Sequence, residues 1–358
     1  MTASPLDLAR PDLAALRPYT PGRYEPGLVR LNANESPWRS PADKTERGLN
    51  TYPPPRPDAL REKLAEHYGL PEETVLVTRG SSEAIDVLIR GFCVAHQDAI
   101  LTTPPTFDMY RLYAGLQAAE VVSVPLDESN DFAFPTQAVI EAIKSPVKIV
   151  FLCSPNNPTG TPIADNAIEQ VIEAAAGRAL VVIDEAYQEF SSRPGFTTRR
   201  GDWPHVVVLR TLSKFVALAG ARCGVLCADP QVIGYLQNVL PPYTFPTPTI
   251  EHVLAAFTPE ALEVSSERVQ LIKRERARLA ETMRDSILVS RVYPSDANFL
   301  MLRTRDADEF SRRAHQAGIL VRSFPGQPEL QNCVRVTIGR PEDNDRLIRA
   351  ISGGGGNE

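Results

Sequence analysis

The sequence predicts an α/β protein: a mainly parallel sheet sandwiched by helices, followed by a smaller α+β unit. Two observations carry this. Between Thr74 and Arg210, short segments that are apolar throughout alternate with helical stretches of about ten residues or more, the pattern of a sheet buried on both faces. After Pro259 the rhythm changes to strands grouped around two further helices, and 358 residues suffice for two cores.

Taken in order, residues 1–57 are dense in proline ("SPW", "YPPPRP") and carry little periodicity, so they read as an extended arm laid over other structure. The sheet then builds from "VLVT", "AILTT", "EVVSVPL", "KIVFLCS", "ALVVID" and "HVVVLR". Helices are expected at "SSEAIDVLIRGFCVA", "FDMYRLYAGLQAA", Thr136–Ile143 and "NAIEQVIEAAAG". From Pro259 to about Arg284 a long helix connects to the second unit; its heptad-like mix spans too few heptads for a coiled coil. Strands "ILVSRVY", "NFLML", "ILVRSF" and "CVRVTI", the helix "ADEFSRRAHQAG" and a last helix from Glu342 complete the chain, and the tail "GGGGNE" is expected to be disordered.

Composition narrows the function classes. Apolar residues make up 43% and charged residues 23%, with a net charge of −6, which argues against nucleic acid or an anionic membrane as partner. No apolar run approaches the roughly 18 residues of a membrane span, and the first residues lack the basic and apolar regions of a secretory leader, so a cytoplasmic protein is expected. Cys93, Cys153, Cys223, Cys227 and Cys333 read as reduced, buried small hydrophobes, and no metal site is expected from Cys223 and Cys227 without a second pair.

In open α/β sheets ligands bind beyond the carboxyl ends of the strands. Five polar motifs fall there: "TRGSSE", "TTPPTF", "CSPNNPTG", "IDEAY" and "RTLSK". "TRGSSE" joins a glycine turn to two serines, Ser81 and Ser82, at a helix start; this suits a phosphate, though a plain helix cap has the same pattern. "SPNNPTG" fixes Asn157 between prolines directly after a buried strand, where its amide can reach an anionic oxygen. Asp184 ends a hydrophobic strand, a costly place for a carboxylate unless it meets a cation: a structural ion pair, or a protonated ring nitrogen, with Tyr187 nearby. In "RTLSKFVALAGARCG", Lys214 lies among aliphatic and small residues, with Ser213 beside it and Arg222 eight residues on. A partly desolvated amine near other cations has a lowered pKa and acts as nucleophile and base. An amine for an aldehyde, a carboxylate for a pyridinium and hydroxyls with an arginine for a phosphate together describe pyridoxal phosphate.

On these motifs, with "LRPYTPG", "LNANE", "YPPPRP" and "CVRVTIG", the chain resembles the fold-type I pyridoxal-phosphate-dependent aminotransferases, in particular the histidinol-phosphate aminotransferase family. The resemblance implies a seven-stranded sheet in the larger unit. It implies an arm over 1–40 packing on the small unit and a partner subunit, a cofactor-binding domain over 41–258 and a small domain over 259–358. It also implies a covalent aldimine between Lys214 and pyridoxal 5'-phosphate, with Lys214 as proton shuttle. Asp184 would pair with the ring nitrogen, Asn157 and Tyr187 with the ring hydroxyl, and Ser81, Ser82, Ser213 and Arg222 with the phosphate. Phe107 would stack on the ring, where the family often has tyrosine, and Ser82 stands where an acidic residue is common. Tyr52 would reach the phosphate of a neighbouring subunit, making the enzyme a homodimer with shared sites. Arg322 and Arg335, with Tyr19, would bind the anionic end of the substrate, and Asn34 and Glu35 would sit near its imidazole end.

The implied reaction is reversible amino transfer between L-histidinol phosphate and 2-oxoglutarate, giving imidazole-acetol phosphate and L-glutamate, in histidine biosynthesis. Three alternatives stay open at this level: an aromatic amino acid aminotransferase, a threonine-phosphate decarboxylase on the same scaffold, and a regulatory domain that merely keeps a cofactor.

Overall fold

The computed structural model describes residues 4–352 except 14, 18, 20, 21 and 23–27; the glycine-rich tail lies outside the described residues. Its larger sheet holds seven strands: β1 (Val75–Thr78), β2 (Ala99–Thr102), β3 (Glu120–Ser123), β4 (Val147–Cys153), β5 (Leu180–Asp184), β6 (Val206–Thr211) and β7 (Gly224–Cys227). They lie in the order β1-β7-β6-β5-β4-β2-β3. Only β7 runs against its neighbours, pairing antiparallel with β1 and β6. β7 is also the strand that periodicity does not single out, since its four residues follow directly on the aliphatic and small residues that end at Cys223.

The uniform apolarity of these strands is explained by what covers them. Val181 and Ile183 of β5 point into one core, with α1 (Asp58–Tyr68), α4 (Thr136–Ala142), α5 (Asp165–Ala175) and α7 (Thr247–Ala255). Leu180 and Val182 point into the opposite core, with α2 (Gly80–Phe92), α3 (Met109–Gln117) and α6 (Pro230–Val239). With a side-chain period of two and helices on both sides, no position of a central strand is left for a polar residue until the strand ends.

The helix α8 (Pro259–Arg284) joins the two units. Val269 packs with Tyr187 and Phe190 beside the large sheet, whereas Leu279 and Met283 belong to the small core. That core lies under a four-stranded antiparallel sheet of β8 (Val289–Val292), β9 (Phe299–Thr304), β10 (Arg322–Ser323) and β11 (Cys333–Thr337), in the order β10-β11-β9-β8. Phe310 of α9 (Ala307–Gln316) and Leu347 of α10 (Pro341–Ser352) fill it.

The units are clamped together at defined points. Arg276 Nη1 donates to the carbonyls of Phe190 and Ala297, and Lys273 Nζ to that of Ser191. Gly160, the last residue of "SPNNPTG", has φ +82° and lies so close to Ser295 that a Cβ there would sit 2.5 Å from its hydroxyl. The glycine therefore serves close docking on the small unit as well as the turn.

The start of the arm lies on the larger unit. Residues 5–8 form a 3₁₀ turn whose Leu8 enters the core beneath α2 and α6, Arg10 N–H donates to Gly91 O, and Ser4 Oγ to Gln231. This segment docks on the large unit, where buried Pro5 and Leu8 anchor it and Leu8 packs with the core of α2 and α6. Further on, Arg56 of "YPPPRP" donates to the carbonyls of Gln237, Leu240 and Pro241, tying the proline segment to the end of α6.

Candidate active site

The carboxyl ends of β1, β2, β4, β5 and β6 open on one cavity of about 270 Å³. Ser81, Ser82, Phe107, Asn157, Asp184, Tyr187, Ser213, Lys214, Arg222 and Arg335 all line it. Segments far apart in the chain thus converge, because parallel strands deliver their ends to the same edge.

At one end the cavity is built for an anion. Ser81 and Ser82 occupy the first turn of α2, a helix of 13 residues whose free amides carry partial positive charge. Arg222, in the left-handed region at φ 53°, lays its guanidinium over the same turn. Gly80 (φ +76°) permits this: a Cβ there would stand 2.7 Å from Arg222 Nη2. Thr211 Oγ1 donates to Ser213 Oγ at 3.0 Å and so orients that hydroxyl.

At the other end is Asp184, 2% exposed. Among the described residues no cation pairs with it; Tyr110 Oη donates to Oδ2 at 2.8 Å and Ala186 N–H to Oδ1 at 3.1 Å. Burial pushes its carboxyl up to about 6, against the pull of those two hydrogen bonds. Among the described residues no structural ion pair explains this aspartate, and its carboxylate lines the cavity.

Lys214, half-buried, lines the same cavity, its Nζ 5.7 Å from the centroid of the Tyr187 ring. Burial lowers its pKa first, then the positive charges of Arg335 and Arg222. All three favour the neutral amine, the nucleophilic form. The Tyr187 hydroxyl is pushed up by burial, so it stays a neutral donor. Arg335 Nη1 donates to Asn157 Oδ1, which leaves the amide nitrogen of Asn157 free to aim at the cavity.

Arg335 stands opposite Arg322 in the β10–β11 register, and among the described residues no carboxylate pairs with either. Of this cross-strand pair, Arg335 lines the cavity, whereas Arg322 is exposed and is not among its lining residues.

Four residues singled out from the sequence lie elsewhere in this chain. Tyr19 is exposed, and Asn34 is exposed with φ 54°. Glu35 pairs with Arg30 at 2.9 Å and accepts from the N–H of Tyr52 at 2.7 Å. Tyr52, 54% exposed, packs on Tyr243 beside a separate cleft. Conversely, sequence reasoning missed Tyr110. Its one signal was a position three residues after Phe107, one helical turn away.

A lysine amine, a buried carboxylate and an arginine-serine cradle at the ends of a parallel sheet define an enzyme that works through a covalently held, phosphorylated aldehyde. Comparison with known proteins agrees. Residues 29–351 match the family described as aminotransferase class I and II. The histidinol-phosphate aminotransferase of Xanthomonas euvesicatoria pv. vesicatoria is 44% identical over 98% of this chain and 97% of its own. That of Stenotrophomonas maltophilia is 44% identical over 97% and 96%. The crystal structure of histidinol-phosphate aminotransferase from Sinorhizobium meliloti in complex with pyridoxal-5'-phosphate superposes with a TM-score of 0.76 at 23% identity, covering 84% of this chain and 82% of that one. The chain belongs to the class I and II aminotransferases, and within them to the histidinol-phosphate aminotransferase family.

Proposed function

We propose that the chain binds pyridoxal 5'-phosphate and transfers an amino group between L-histidinol phosphate and 2-oxoglutarate. One observation carries the cofactor: Asp184, buried and without a cation, shares its cavity with an amine and an arginine-serine cradle. The residues present fit this cofactor. Ser81, Ser82, Ser213 and Arg222 would hold its phosphate, Phe107 would cover the ring face, and Asn157 and Tyr187 would meet the ring hydroxyl. Asp184 would keep the ring nitrogen protonated. When bound, the cofactor supplies an aldehyde carbon for amines and a ring that takes up electron density. Lys214 Nζ is the amine that would hold the aldehyde, and it would be the base at hand for the proton on the substrate carbon, for which its lowered pKa suits it.

Arg335 and Arg322 bind the substrate's anionic end: a phosphate in one half-reaction, the distal carboxylate of glutamate in the other. The guanidinium fork fits both. The full-length identity to relatives that bear this activity supports histidinol phosphate over other amines. The site works as a homodimer in the cytoplasm, with an arm (1–40), a cofactor-binding domain (41–258) and a small domain (259–358); Tyr52 would reach the cofactor phosphate of the neighbouring copy, Tyr19 would join the two arginines, and Asn34 and Glu35 would sit near the substrate's imidazole end. Purified protein given histidinol phosphate and 2-oxoglutarate should form glutamate; transfer from phenylalanine alone, or CO2 released from threonine phosphate, would overturn the assignment.

A further inference from the structure

We infer that Tyr110 is a positioning residue that sets two cofactor contacts at once, aiming the Asp184 carboxylate and fixing the plane of Phe107. The inference rests on the cofactor reading above. Tyr110 is fully buried in the first turn of α3, outside the cavity lining, so it acts through its neighbours. Its ring stacks on Phe151 of β4 at 4.5 Å and 14°, and meets Phe107 edge-on at 5.7 Å and 86°. Held on both sides, the ring has one direction for its hydroxyl, and that hydroxyl donates to Asp184 Oδ2 at 2.8 Å. The N–H of Ala186 fixes Oδ1 from the opposite side. Two donors leave the carboxylate charged and its remaining lone pairs directed at the cavity, the state in which it holds a protonated ring nitrogen. Without the hydroxyl, an ionised carboxylate buried in apolar surroundings has lost half its support, and the shared proton shifts from the ring to the aspartate.

Tyr110→Phe keeps the stacked ring and removes only the donor. The test is a double-mutant cycle on pyridoxal phosphate affinity, read from the absorbance of apoprotein titrated with cofactor, for the native protein, Tyr110→Phe, Asp184→Asn and the double variant. A hydrogen bond to a charged group predicts binding about tenfold weaker or more in Tyr110→Phe, and a change of under about twofold when the same substitution is made in Asp184→Asn. With ring-¹⁵N-labelled cofactor, the nitrogen resonance of Tyr110→Phe moves toward the unprotonated position, a shift that loosened packing does not produce. Equal losses in both backgrounds, or no loss in the native background, overturn the role of Tyr110. Failure of the native protein itself to take up the cofactor overturns the functional reading instead.

Discussion

Asp184 is held at a cost to the chain that carries it. Its folded pKa of about 6 lies above the ordinary 3.8, so the cofactor-free folded protein binds this proton more tightly than the unfolded chain does. The stability it contributes is therefore complete below about pH 4 and lost as pH rises through about 6. At pH 7.5 the cofactor-free Asp184→Asn variant should be more stable than the native chain by on the order of 2–3 kcal/mol, measured by urea unfolding, while binding cofactor far more weakly. No gain in stability would show that another group neutralises the carboxylate. Lys214→Ala, in turn, should remove the cofactor absorbance that depends on a protein amine; a protein adduct still reducible by borohydride in that variant would place the amine elsewhere. Both residues were legible in the sequence because a charge at the end of an apolar strand is conspicuous. Tyr110 was not, because a tyrosine in an amphipathic helix is ordinary until its hydroxyl is seen to meet Asp184.

At the level of elements, the anion cradle depends on how closely β1, α2 and β7 approach one another. A Cβ on Gly224 would stand 2.7 Å from the Gly80 carbonyl carbon, and one on Gly80 would displace Arg222. Gly80→Ala, strained at φ +76° as well, should weaken cofactor binding by about tenfold or more. Inorganic phosphate, a competitor for the same cradle, should lose affinity in parallel; if it does not, the cradle lies elsewhere. Gly160→Ala tests a different contact, the seat of the "SPNNPTG" turn on Ser295, and should lower stability by about 1–3 kcal/mol in urea unfolding. The strands and helices of this region were readable from periodicity, β7 excepted. The glycines' partners were not, since Gly80 meets Arg222 across more than a hundred residues of chain.

For the whole molecule, the arm is the part that one chain leaves unfinished. Leu28, Val29, Leu31 and Trp38 are 65–90% exposed on it, and Tyr52 stands away from the Lys214 cavity. Apolar side chains in such number on one segment call for a cover, which the proposed second copy would supply. Sedimentation should give a particle of twice 39.4 kDa. If Tyr52 completes the neighbour's site, mixing inactive Lys214→Ala with impaired Tyr52→Ala should restore activity neither has alone, because one site of each hybrid is intact. No recovery after dissociation and reassociation would confine Tyr52 to its own chain. The expectation that the arm packs on the small unit and a partner subunit was made from resemblance; its first residues lie against α2 and α6.

By itself the sequence determined the alternation of buried strands and helices and the polar residues that interrupt it at strand ends, because burial on both faces excludes polar side chains everywhere else. It thereby exposed nearly every group that lines the cavity. Only the tertiary structure decided which of those groups lack a partner, which tyrosine supports the carboxylate, and which glycines let an arginine lie over a helix start. These depend on contacts between residues distant in the chain, and local pattern holds no record of them.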